Sequence, residues 1–187
     1  MDEWGFLSVI VSIILGLSIT QLLQGISEVI NERDRVRFYQ PAVGWSVLLL
    51  IVDVQAWWAM FGYRNRHQWT FLQFATVLLE VILLYLLAAL ALPNFAGPAI
   101  VDLRENYFKH KAWFFGILIL VLLDSLLKTF VIDGSLTGTL DLGFHFIWIT
   151  TALIAAVTSK DWYHRAYLYV SYVLVLTYIG LLFTNLK

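Results

Sequence analysis

Apolar residues run along this chain in long blocks, with polar residues gathered between the blocks rather than alternating through them. A spanning helix needs about 20 mostly apolar residues, because the hydrocarbon core of a bilayer is about 30 Å thick and a helix rises about 1.5 Å per residue. Six blocks meet that length, at about 5–29, 42–63, 69–92, 112–132, 140–159 and 164–185. None shows the period-two alternation of barrel strands, and open strands would leave backbone groups unpaired in lipid. The pattern predicts an all-α, polytopic bundle of six transmembrane helices, forming one transmembrane domain over residues 1–187.

The punctuation agrees. Pro41, Pro93 and Pro98 fall at the ends of blocks or between them, where a missing N–H is harmless. Indole rings prefer the membrane interface, so Trp4, Trp57, Trp58 and Trp69 are expected near one face and Trp45, Trp113 and Trp162 near the other, with Trp148 alone at depth. The first block opens on Asp2 and Glu3 instead of a basic segment and lacks a small-residue cleavage pattern, so it reads as a helix of the mature protein. In the longest connection, about 93–111, Ile100, Leu103 and Tyr107 recur at helical spacing opposite Asp102, Glu105 and Lys109. That spacing suggests a short interfacial cytoplasmic helix between spans three and four, started by Pro98; an irregular loop is the alternative.

Composition sharpens the class. Soluble chains are about 45–50% apolar and about 25% charged, whereas this one is 60% and 13%. A fold of 187 residues has too little interior to hide that much hydrocarbon, and lipid is the natural solvent for the excess. The formal charge of -1 argues against a nucleic-acid partner. The absence of cysteine excludes disulfides, thiolate chemistry and cysteine-ligated metals.

Lysine and arginine are unevenly shared between the two sides. Arg33, Arg35, Arg37, Arg104, Lys109, Lys111, Lys160 and Arg165 follow spans one, three and five, against Arg64, Arg66 and Lys187 on the other side. The positive-inside rule then places both termini outside the cytoplasm, and short loops without an appended domain fit a bacterial inner membrane.

No sequence signature of catalysis is present. There is no His-Glu-x-x-His pair, phosphate-cradling glycine loop or Gly-x-Ser-x-Gly elbow, and His67, His110, His145 and His164 are scattered, so neither a metal site nor a cofactor is expected. The informative signal is charge at depth. Asp53, Glu80 and Asp124 fall near the middles of spans two, three and four, and Lys128 lies one turn beyond Asp124. An ionised group at the bilayer centre costs a few kcal/mol at least, so such residues face a bundle interior and often mark an ion path.

Two readings of this acidic plane stand side by side. In the structural one, Asp124 and Lys128 form a buried intrahelical pair, while Asp53 and Glu80 hydrogen-bond to neighbours such as Gln55, Thr150 or Tyr172. In the functional one, Asp53, Glu80 and Asp124, with Gln55 beside them, load protons or bind a cation. A second signal is the row Ser8, Ser12, Gly16 and Thr20, continued by Gln24, which gives span one a small, polar face suited to close helix contact or to a pore lining. The hydroxyls of Tyr167, Tyr169, Ser171, Tyr172, Thr177 and Tyr178 in span six are expected to act as internal glue. Spans two and four resemble each other from Gly44 and Gly116 to their central aspartates, which admits a repeated helix pair or inverted halves.

The leading expectation is a small homo-oligomeric channel or transporter for protons or a small cation, using the acidic plane. The alternative is a non-transporting partner or sensor subunit whose Arg33, Arg35, Arg37, Arg104, Lys109 and Lys111 dock anionic lipid or a soluble protein. A membrane-embedded enzyme is the third.

Overall fold

A computed structural model describes residues 3–66, 68–95, 99–136 and 138–182. His67, Pro98 and Lys187 lie outside the described residues. The described chain is all-helical: α1 (Glu3–Asn31), α2 (Gln40–Met60), α3 (Phe71–Ala91), α4 (Leu103–Asp133), α5 (Thr139–Val157) and α6 (Asp161–Leu182). Two short strands, β1 (Val36–Arg37) and β2 (Val101–Asp102), pair in parallel and tie the α1–α2 connection to the α3–α4 connection.

Local chemistry sets the boundaries. Pro41 starts α2, where its missing N–H is one of the helix's unpaired donors in any case. Thr70 and Gln73 form a reciprocal capping box at the head of α3. Asp102 caps α4 by accepting from the N–H groups of Arg104 and Glu105, both at 3.0 Å. Gly134, at φ 69°, ends α4 in the left-handed conformation that a side chain would disfavour.

Five helices, α1 to α5, are long and apolar enough to cross a membrane. Their outward faces carry residues such as Phe6, Ile13, Leu17, Leu120, Leu123, Leu127, Phe146 and Leu153, a surface suited to lipid rather than water. The chain therefore has the build of a membrane protein. Asp161, His164 and Arg165 occupy the first turns of the sixth helix.

Two expectations about these elements are corrected. Among the described residues there is no separate helix between α3 and α4: Leu103 and Tyr107 are buried members of one continuous helix, Leu103–Asp133, because the Asp102 cap starts it directly and no breaker follows. Trp45 is not an interfacial anchor either. It is almost fully buried among Phe114, Phe115 and Tyr167, at ring separations of 5.4, 5.5 and 5.4 Å. Trp4 and Trp69, by contrast, stack at 5.3 Å, so they do share one end of the bundle.

The inward stripe of α1 is Val11, Leu15, Ser18, Leu22, Gly25 and Val29, which repeats at the three-and-four spacing of a helix seam. The small row is on the other side: Ser12, Gly16 and Thr20 are exposed, Ser8 is half-buried, and nothing approaches within 4 Å of a Cβ built on Gly16. Close approach occurs instead at Gly44, where a Cβ would collide with the Leu168 side chain. Gly44→Leu is thus expected to cost about 1–3 kcal/mol through overpacking, whereas Gly16→Leu leaves the stability of the single chain unchanged. Thermal denaturation of the two variants in detergent checks the contrast.

Candidate functional site

The deep carboxyls do not share one cavity. Asp53 is 1% exposed and faces α1, where it accepts a hydrogen bond from Ser18 Oγ at 2.7 Å. Glu80, 7% exposed, faces α4 and pairs with Lys128 at 2.5 Å. Asp124, 4% exposed, has no hydrogen-bond partner on either carboxyl oxygen among the described residues.

The expected Asp124–Lys128 pair therefore does not form. A lysine's four-carbon stem reaches beyond its own helix, and α3 packs extensively against α4, bringing a second carboxylate within range. Lys128 chooses the interhelical partner, Glu80, and Asp124 acts on the pair only through its field. The suggested neighbours of the acids are engaged elsewhere: Thr150 donates to the Phe146 carbonyl and Tyr172 to the Gly44 carbonyl.

A vestibule of about 780 Å³ opens among α2, α3, α4, α5 and α6, and Glu80 and Lys128 line it. Its deep part is walled by Leu49, Leu84, Leu87 and Leu118, while Ser135 and Gly138 of the α4–α5 connection and Thr139 at the head of α5 line the other end. Gln55 lines it as well; Asp53 and Asp124 are not among the lining residues. Of the expected transport set, Glu80 and Gln55 thus meet in the vestibule and the other two stand outside it.

Across the vestibule from the ion pair is a second polar group on α5. His145 Nδ1 lies 2.9 Å from the Asp141 carbonyl oxygen and 3.1 Å from its carboxylate. Both are acceptors, so Nδ1 carries a proton. Tyr178 of α6 interacts with the same carboxylate and packs edge-on against Phe144 at 5.6 Å.

Sequence reasoning missed Asp141, Asp133, Tyr63 and Ser18. Asp141 stands one turn before His145, the i,i+4 spacing that pairs side chains on a helix, and Ser18 lies on the apolar seam of α1; both signals were there to read. Nothing in the sequence would have sent Tyr63 and Asp133, at two helix ends, to one cavity.

The expected docking residues gather at the opposite end of the bundle and are partly neutralised there. Arg35 pairs with Glu32 at 2.6 Å, Arg37 with Asp102 at 3.5 Å, and Arg104 with Asp161 at 3.4 Å. Lys111 donates to the carbonyls of Ala156 and Thr158, at 3.0 and 2.6 Å, and so closes the end of α5. Arg33 and Lys109 are exposed. Hydrogen bonds from Arg165 and from the Tyr39 hydroxyl hold the Asp161 carboxyl below the usual carboxylate range, so this end keeps its anion at neutral pH. Among the described residues no group of three or more His, Asp or Glu is placed to hold a metal ion. No family model, no curated protein and no solved structure matches this chain.

Proposed function

We propose that this chain is a six-span membrane transporter for protons or a small cation, with the Glu80–Lys128 pair as its working centre. The observation that carries the reading is the vestibule of about 780 Å³ that leads from the α4–α5 connection to that buried pair. Ion pairs inside a bundle are costly to desolvate, and one that lines a cavity is placed to exchange partners with a solute. In this reading α6 completes the bundle as the sixth span, and the outward row Ser8, Ser12, Gly16 and Thr20 seals against a second copy.

Orientation follows from the basic residues, which put both termini and the vestibule mouth outside the cytoplasm. Asp34→Cys and Glu105→Cys are expected to be shielded in intact cells from an impermeant thiol reagent, whereas Leu136→Cys reacts. The inverse pattern reverses the topology. The transport reading itself is tested by purified protein in liposomes. An imposed pH gradient is expected to collapse faster than in empty liposomes, and equal rates at equal lipid loading refute it.

A second reading, a membrane-embedded enzyme, is favoured by His145 and Asp141 facing the same vestibule as Glu80. Gradient collapse that survives His145→Gln speaks for transport, since the imidazole held by Asp141 is the group that the enzyme reading uses as its general base.

A further inference from the structure

The vestibule is far larger than a proton or a bare metal ion requires, and its size of about 780 Å³ lies within the range of about 300–1,000 Å³ typical of small-molecule sites. Its walls divide by chemistry. The deep end is hydrocarbon, while the polar end carries three carboxylates, Glu80, Asp133 and Asp141, against the Lys128 amine and the Arg66 guanidinium, 3.9 Å from Asp133. Between them stand aromatic rings, Tyr63, Phe144, Trp148 and Tyr178. An excess of carboxylate beside aromatic faces attracts a cation, through charge and through the negative faces of the rings. The hydrocarbon end accepts an apolar body.

We infer that the vestibule binds a lipophilic organic cation, an amine, quaternary ammonium or phosphonium carried on an apolar body. The inference rests on the transport reading for its purpose and on the vestibule alone for its chemistry. Lys128 is then an internal competitor. It holds Glu80 at 2.5 Å, and an incoming cation takes its place or shares the acidic end through Asp141. An anionic ligand would instead need Lys128 as its partner, so the two charge classes respond to loss of this amine with opposite signs.

The probes are tetraphenylphosphonium and tetraphenylborate, nearly the same shape with opposite charge. Binding is measured by equilibrium dialysis on the full chain in phosphatidylcholine nanodiscs, with empty nanodiscs subtracted. Tetraphenylphosphonium is expected to bind saturably and tetraphenylborate not. Glu80→Gln is expected to weaken binding by about tenfold and Lys128→Met to tighten it by a similar factor. Because either change disturbs a buried pair and risks the fold, Asp141→Asn, on another helix, serves as the independent variant and is also expected to weaken binding. The inference is overturned by saturable tetraphenylborate binding, by an absence of saturable tetraphenylphosphonium binding, or by unchanged affinity in both acid variants. Proton flux without cation binding would sink this inference and spare the transport reading; cation binding without any flux would do the reverse.

Discussion

Lys128→Met alone is expected to cost about 3–5 kcal/mol of stability, and adding Glu80→Gln in the same chain to recover most of the loss. The amine and carboxylate are 11% and 10% exposed and stand 2.5 Å apart, so each charge is tolerated at its depth because of the other. Removing the amine leaves a carboxylate in a low-dielectric setting with little water to solvate it. Removing both charges leaves nothing uncompensated, and a methionine fills much of the lysine stem's space. A double-mutant cycle on unfolding in detergent micelles isolates the coupling. Single and double variants that all melt with the wild type would mean that water reaches the pair freely. Asp124→Asn serves as the contrast and is expected to shift stability by less than about 1 kcal/mol, because its carboxylate accepts no hydrogen bond that the amide would lose. Intrahelical pairing with Lys128 would instead have made that change as costly as breaking any buried pair.

Flux in liposomes is expected to fall by about tenfold or more in Glu80→Gln and to persist in Asp53→Asn. Glutamine keeps the shape of glutamate and an oxygen for Lys128 while the exchangeable charge is lost, and flux is scored on variant protein that elutes and melts as a folded species. Asp53 is tucked between α1 and α2 on the Ser18 hydroxyl, outside the vestibule, and an asparagine retains an acceptor for that bond. Equal losses in the two variants would restore the wider acidic plane as the working unit. Loss in Asp53→Asn alone would move the path to the α1–α2 side.

The helical class and the positions of most elements were legible because blocks of about 20 apolar residues leave a chain few alternatives in lipid. Thr70, Asp102 and Gly134 are local signals and end their helices as such residues do. Burial was legible too: Asp53, Glu80 and Asp124 are all buried. Partnership was not. Lys128 is one turn from Asp124 along the chain, but the structure gives it Glu80, because helix packing decides which of two carboxylates at similar depth the amine meets. The neighbour of the small row on α1 was not legible either. Small residues permit close approach without specifying a neighbour, and within the chain the approach is made by the apolar seam on the other face.

The central claim is that the path runs through the vestibule to the Glu80–Lys128 pair, and the most direct measurement is cysteine accessibility at Gln55. This residue lines the vestibule and is half-buried, and the chain has no native cysteine to confuse the labelling. Gln55→Cys in oriented liposomes is treated from the α4–α5 side with a small, charged methanethiosulfonate reagent, and modification and flux are followed together. The account predicts that Cys at 55 is modified from that side and that flux falls in step with modification. A thiol that stays unmodified, or complete modification with undiminished flux, would contradict it.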